Sequence, residues 1–313
     1  MVNEDGLHRL GLALAELGYR FSVVTPATHR LLNARAGNQR AHSLRDIFGW
    51  NRPFEPKVVP AALFELMCST GACEPEVGSL LWRANVRFAS LDGQLFAHSP
   101  FPTDDAQSVF FGPDSHRFVR ALKQHARTAR RIVDVGCGTG VGGISLAKLG
   151  LGELPVVLAD INIDALRLAR INARLAEVEA ETVHSDILAA VSGDFDLVIA
   201  NPPYLVDEAR RLYRDGGGEL GEGLATRIVR EAIERFANMA EGGTLLLYSG
   251  SPIVEGRDSL LSAVLAHLEH PDVGYLYEEL DPDVFADELV LPAYANVERI
   301  AAVFLEVHVG RRR

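Results

Sequence analysis

The sequence predicts an α/β protein: a doubly wound, mostly parallel, seven-stranded sheet preceded by a smaller helical module that ends in a β-hairpin. Three observations predict it. Beyond residue 131, apolar runs of strand length alternate with amphipathic segments of helix length. A proline-rich link, "HSPFPTDD", separates that alternation from the first hundred residues. Within those, "VRFASLDGQLFAHS" sets Asp92-Gly93 between two strand-like runs, a strong hairpin signal.

Taken in order, Leu7, Leu10, Leu14 and Leu17 recur at helical spacing, and Gly18 closes that element. Thr25-Pro26 reads as an N-cap with proline at the first helical position, and Gly37 as the stop. Pro60 to Cys68 and Pro75 to Arg83 read as two more helices. Helices closed by a hairpin suggest a winged-helix-like, substrate-recognising module over residues 1–105, or a plain helical cap with an accessory hairpin. In 106–313, strands are expected at Arg131–Val135, Val156–Asp160, Thr182–His184, Leu197–Ala200, Thr244–Tyr248, Gly274–Glu278 and Ile300–Val307. Helices such as Ile163 to Glu177 and Glu222 to Met239 lie between the first five. No helix-length segment joins the last two strands, which predicts antiparallel pairing.

Composition bounds the function. With 313 residues, 48% apolar and 23% charged, the chain reads as an ordinary soluble protein. The opening "MVNEDGLHRL" lacks the cationic start and apolar run of a signal peptide, and no run approaches the roughly 18 apolar residues of a membrane helix. Cys68, Cys73 and Cys137 form no CxxC pair, which fits a reduced, cytoplasmic setting. Ten histidines show no ligand spacing, so no metal is expected. Trp50 and Trp82 read as core residues, and Arg311 to Arg313 as a solvated tail. Residues 1–130 carry 15 Lys+Arg against 12 Asp+Glu, whereas 131–313 carry 16 against 30. The acidic half disfavours a broad polyanion-binding surface there, while Arg20, Arg30, Arg35, Arg40, Arg45, Arg52 and Lys57 gather in the first module.

The chemistry begins at "IVDVGCGTG", where an apolar strand runs straight into glycines. Gly136, Gly138 and Gly140 remove side chains where a backbone must approach a ligand, and a helix N-terminus follows. Such a loop alone also suits a dinucleotide. Three acids sharpen it. Asp134 stands where a carboxylate can anchor the ammonium of an amino-acid-like ligand. Asp160, with Ile161 beside it, ends the next strand, the position of an acid that accepts ribose hydroxyls. Asp186 and Ile187, in "HSDIL", stand where a carboxylate can accept from adenine's amine and a side chain can flank its ring. Each acid alone can be a helix cap, but all three end successive strands. Ammonium, ribose and adenine without pyrophosphate describe S-adenosyl-L-methionine.

The motifs "DVGCGTG", "ADINIDALRLARINA", "SDIL" and "NPPY" resemble the class I S-adenosylmethionine-dependent methyltransferases, in the branch that carries NPPY. The resemblance covers about residues 106–313 and implies a Rossmann-like fold and N-methylation of a macromolecule. "YRDGGGELGEGLATRIVREAI" is similar to the segment after NPPY in HemK-type protein-glutamine methyltransferases, and "FFGPDSHRF" looks closer to small-domain RNA methyltransferases. The NPPY turn has a physical purpose. The Asn201 carboxamide oxygen and the Pro202 carbonyl can accept both hydrogens of a planar NH2, and Tyr204 can stack on it. A protein glutamine or asparagine amide is the first expectation for the acceptor. The exocyclic amine of adenine or guanine in RNA or DNA is the alternative, and a catalytically silent scaffold the reading of another class.

Overall fold

The structure is a computed structural model that describes residues 3–310; Arg311 to Arg313 lie outside the described residues. The first module starts with α1 (Glu4–Glu16), capped by the Asn3 side chain, and α2 (Pro26–Asn33), capped by Thr25 with Pro26 in its first turn. Then come α3 (Ala61–Thr70), β1 (Cys73–Pro75), β2 (Trp82–Ala84), β3 (Arg87–Leu91) and β4 (Gln94–His98). Leu7, Leu10 and Leu14 of α1 are buried as their spacing requires, whereas Leu17 lies beyond the helix and half exposed. Helix α2 stops four residues before Gly37. β3 and β4 form the expected hairpin, with Asp92 and Gly93 both at positive φ in its turn.

One expectation fails. Pro75 to Arg83 is not a helix but the turn and second strand of the antiparallel ribbon β1–β2. Gly78 takes a positive φ there, and Trp82 exchanges both backbone hydrogen bonds with Phe54 at 2.8 Å. Pairing with a distant residue has overridden a local helical pattern.

The second half runs α4 (Pro113–His125), β5 (Ile132–Val135), α5 (Val141–Lys148), β6 (Val156–Asp160), α6 (Ile163–Leu175), β7 (Ala180–His184) and β8 (Leu197–Ala200). It continues with α7 (Gly223–Ala237), β9 (Gly243–Val254), β10 (Arg257–Asp258), α8 (Ser259–Leu268), β11 (Val273–Asp281) and β12 (Arg299–Val309). The main strands lie in the order β7-β6-β5-β8-β9-β12-β11, with the short β10 turned back on β9. The five from β7 to β9 are parallel, and β12 is antiparallel to both β9 and β11. Buried strand residues alternate between two cores. Leu158 and Ile199 face α4, α5, α6 and the first module; Val157 and Val198 face α7 and α8.

The first module rests on α6. Asn172, fully buried, accepts from the Ala97 amide at 2.7 Å and donates to the Ala97 and Thr139 carbonyls at 3.0 and 2.9 Å. One side chain thus ties hairpin, helix and glycine loop together. Glu4 and Asp5 of α1 pair with Arg170 and Arg174 of α6.

Candidate active site

The strand order reverses between β5 and β8, and open parallel sheets place their crevice outside the carboxyl ends of strands at such a point. A cavity lies there. Its wall includes ten of the eleven residues singled out in the sequence: Asp134, Gly136, Gly138, Asp160, Ile161, Asp186, Ile187, Asn201, Pro202 and Tyr204. Gly140 is the exception. It forms the left-handed turn into α5 and packs toward Ile144, Leu158 and Ala169 instead. Gly136 and Gly138 have φ of +63° and +55°, and a Cβ on either would meet no atom within 4 Å. These two therefore serve a backbone conformation that opens onto free space, not a tight packing contact.

The acids differ in their surroundings. Asp134 is 2% exposed, and its Oδ2 accepts from the Gly143 amide in α5 at 2.8 Å. Burial pushes its carboxyl up to about 8, against the Gly143 hydrogen bond and with help from the Asp160 charge. No cationic side chain of the described residues pairs with it. Asp160 binds the Gly138 amide through Oδ2 at 2.9 Å and the Asn162 amide through Oδ1 at 2.8 Å. Burial raises its pKa, and those backbone donors oppose the rise. It therefore staples the glycine loop to the end of β6 while keeping lone pairs for further donors. Asp186 is exposed and shares its Oδ2 with Arg227 of α7 at 3.0 Å. Ile187 is buried at φ 51°, a conformation costly for a β-branched side chain and often found at functional sites.

Beyond β8, the Asn201 side chain is half-buried and forms no hydrogen bond with any described residue, leaving its amide free to the cavity. Pro202 is buried behind it. Tyr204 is more enclosed than a stacking lid would be. Its ring meets Tyr248 and Phe285 edge-on at 6.5 and 5.8 Å and covers Gly250, where any Cβ would fall 2.3 Å from the ring. Burial, then the nearby Asp114 charge, pushes its hydroxyl well above the usual range. The glycine-rich segment explains itself here. Gly216 donates to the Leu205 carbonyl at 2.9 Å, and Leu205 to the Arg214 carbonyl at 3.2 Å. Gly221, at φ +101°, lies so close that a Cβ would stand 2.3 Å from the Tyr204 carbonyl oxygen. The segment is a backbone brace for the NPPY turn, and side chains would push it off.

The structure adds wall residues that local motifs did not mark. Asp114, buried on α4, accepts from the Tyr248 hydroxyl at 2.7 Å and pairs with Arg117 at 3.0 Å. Phe110 and Tyr213 stack at 5.5 Å with their planes 19° apart. Pro26, the first residue of α2, brings the first module to the same wall. Phe110 and Asp114 lie in "FFGPDSHRF" and Tyr213 in the stretch after NPPY, segments the sequence marked without singling out these side chains. Asn162, whose side-chain oxygen caps α6, donates its amide to the Gln107 carbonyl, tying the segment before α4 to the cavity rim.

The chain is similar to known methyltransferases. The family model described as methyltransferase small domain matches residues 112–248. A release factor glutamine methyltransferase of Deinococcus radiodurans is 34% identical over 179 residues, 52% of this chain and 62% of that protein. A ribosomal protein L11 methyltransferase of Thermotoga maritima is 36% identical over 97 residues, 30% of this chain and 36% of that one. A ribosomal RNA small subunit methyltransferase C of Serratia proteamaculans is 33% identical over 117 residues, 36% and 33% of the two chains. The matched part thus spans less than two thirds of each relative. The crystal structure of Trm5b from Pyrococcus abyssi superposes with a TM-score of 0.50 over 92% of this chain and 79% of that one, at 16% identity, a likeness of fold. The match of residues 112–248 to the methyltransferase small-domain model thus falls on the part of the chain that carries the glycine loop and the acid-tipped strands.

Proposed function

We propose that this chain is an S-adenosylmethionine-dependent N-methyltransferase that acts on a planar NH2, foremost the side-chain amide of a protein glutamine or asparagine. The observation that carries the reading is an unpartnered Asn201 amide opening onto the same cavity as the buried, cation-free Asp134 carboxylate. A carboxylate buried without a cation is costly, and a ligand ammonium would relieve it. On that ground the residues present fit the cofactor. Asp134 would hold its ammonium, Gly136 and Gly138 its amino-acid portion along the backbone, Asp160 its ribose, and Asp186 with Ile161 and Ile187 its adenine. When bound, it supplies an electrophilic methyl on a sulfonium.

The chain's own part is orientation and charge. An amide nitrogen is a poor nucleophile because its lone pair is delocalised. Asn201 Oδ1 and the Pro202 carbonyl would accept its two hydrogens and turn the lone pair toward the methyl. Both acceptors stabilise a nitrogen that becomes partly positive, so they act more strongly in the transition state than in the ground state. Tyr204, Phe285 and Tyr248 keep water from that side, and the brace of Gly216 and Gly221 holds the turn rigid. Residues 1–105 would select the acceptor.

The longer match to a release factor glutamine methyltransferase and the glycine brace favour a protein amide. The arginines of the first module and the match to a ribosomal RNA methyltransferase favour a nucleobase amine as the second reading. Incubating extract with radiolabelled cofactor and this protein, then treating with protease or nuclease, decides between them. Label released by protease and resistant to nuclease is expected; nuclease-sensitive label would reverse the assignment, and no label would refute the activity.

A further inference from the structure

From Leu17 to Arg45 the chain contains no Asp or Glu, yet it carries Arg20, Arg30, Arg35, Arg40 and Arg45. All five are exposed. Arg40 reaches Glu55 at 3.8 Å, whereas the other four have no carboxylate partner among the described residues. Asp46, the first acid after the stretch, is already held by Arg52 at 2.6 Å and by the His42 amide at 3.0 Å. Arg45 donates to the Arg20 carbonyl at 3.2 Å and lies over the Phe21 ring, so these two stand side by side. Phe21 meets Trp50 edge-on, and the Trp50 carbonyl bonds His29 of α2, which joins that pair to the helix bearing Arg30. The face leads to the active site, because α2 begins at the cavity-lining Pro26. At 1.5 Å of rise per residue, Arg30 stands about 6 Å along α2 from the rim, and Arg35 follows just beyond the last helical residue, Asn33.

Like charges gathered without counter-charge repel one another, and an anionic partner removes that cost. We infer that this face docks an acidic segment of the protein carrying the methyl-accepting amide, an inference that rests on the amide reading above. Two observations favour a protein segment over RNA. Leu31, 63% exposed between Arg30 and Arg35, offers an aliphatic anchor of the kind protein interfaces bury beside arginine. Residues 131–313, which form most of the cavity wall, carry 30 acids against 16 bases and would repel a long polyanion crossing them. An extended chain advances about 3.3 Å per residue, so the acids should lie within roughly six residues of the methylated side chain.

The test uses the full-length protein and three labelled probes, measured by fluorescence anisotropy at low and high salt. One is a peptide with a central glutamine flanked by glutamates, the second has serines in place of the glutamates, and the third is a short single-stranded RNA. The acidic peptide should bind best, at least about tenfold tighter than the serine peptide at low salt, and lose that margin as salt rises. The double variant Arg30→Glu with Arg35→Glu should lose the same margin while binding S-adenosylmethionine as the wild type does. Equal binding of the two peptides, undiminished binding by the variant, or tighter binding of the RNA would overturn the inference. Methyl transfer to the peptides is read in parallel: labelled glutamine without preference for the acidic peptide removes the docking role and leaves the amide reading standing. Charge-selective binding with no amide labelled does the reverse.

Discussion

On the proposed reading, Asp134 makes cofactor binding a proton-linked event, and the linkage has a calculable size. In the unliganded protein its carboxyl is pushed up to about 8 by burial, against about 3.9 in an unfolded chain. An ammonium placed against it would favour the carboxylate and bring the value back down. If only the ionised form binds well, its population limits affinity: about 1% at pH 6 and about half at pH 8. Affinity for S-adenosylmethionine should therefore rise roughly fiftyfold between those two pH values, close to tenfold per unit at the acid end. Unliganded stability runs the opposite way. The neutral carboxyl's contribution is complete below about pH 4 and is lost as pH rises through about 8, so the melting temperature should fall over that window while the increment from cofactor grows. Calorimetric titration from pH 5.5 to 8.5 measures this. 5′-Methylthioadenosine keeps the adenosine and lacks the ammonium, and its affinity should stay flat. Asp134→Asn keeps an acceptor for Gly143 and should abolish the slope with S-adenosylmethionine. A flat profile with S-adenosylmethionine, or the same slope with methylthioadenosine, would refute the assignment of Asp134 to the ammonium.

Further outcomes are expected elsewhere in the site. Asn201→Ala should lower single-turnover methyl transfer roughly a hundred- to thousandfold and leave cofactor affinity nearly unchanged; near-normal turnover would make the NPPY turn purely structural. Gly221→Ala forces a Cβ against the Tyr204 carbonyl at positive φ, so turnover should collapse while cofactor binding persists, and equal loss of both in a calorimeter would contradict a brace specific to that turn. Asp160→Ala removes the acceptor of the Gly138 and Asn162 amides and should weaken cofactor roughly ten- to hundredfold, measured as the dissociation constant. Asn172→Ala leaves the Ala97 amide and two carbonyls buried without partners and should cost about 3 kcal/mol in urea unfolding. A loss below 1 kcal/mol there would mean that water replaces the side chain.

Short-range pattern determined the parallel-sheet half almost unaided. Val156–Asp160 and Leu197–Ala200 fall where apolar runs stop at an acid and at Asn201, because a strand buried on both faces must be apolar throughout and can turn polar only at its end. The order of strand, glycine loop and helix likewise implied the edge at which the acids converge. What the sequence could not hold was set by distance along the chain. Trp82 lies in a strand that pairs with Cys73–Pro75 and also bridges to Phe54, twenty-eight residues earlier, a partner that no local periodicity records. Asp114 entered the cavity wall, and Gly140 left it, through packing of α4 and α5 on the sheet. Tyr204 is held under Tyr248 and Phe285 because β9 and the segment before β12 arrive from the far side of the fold. The charge state of Asp134 is likewise tertiary. Its pKa follows from burial, and burial is decided only when α4 and α5 pack on the sheet.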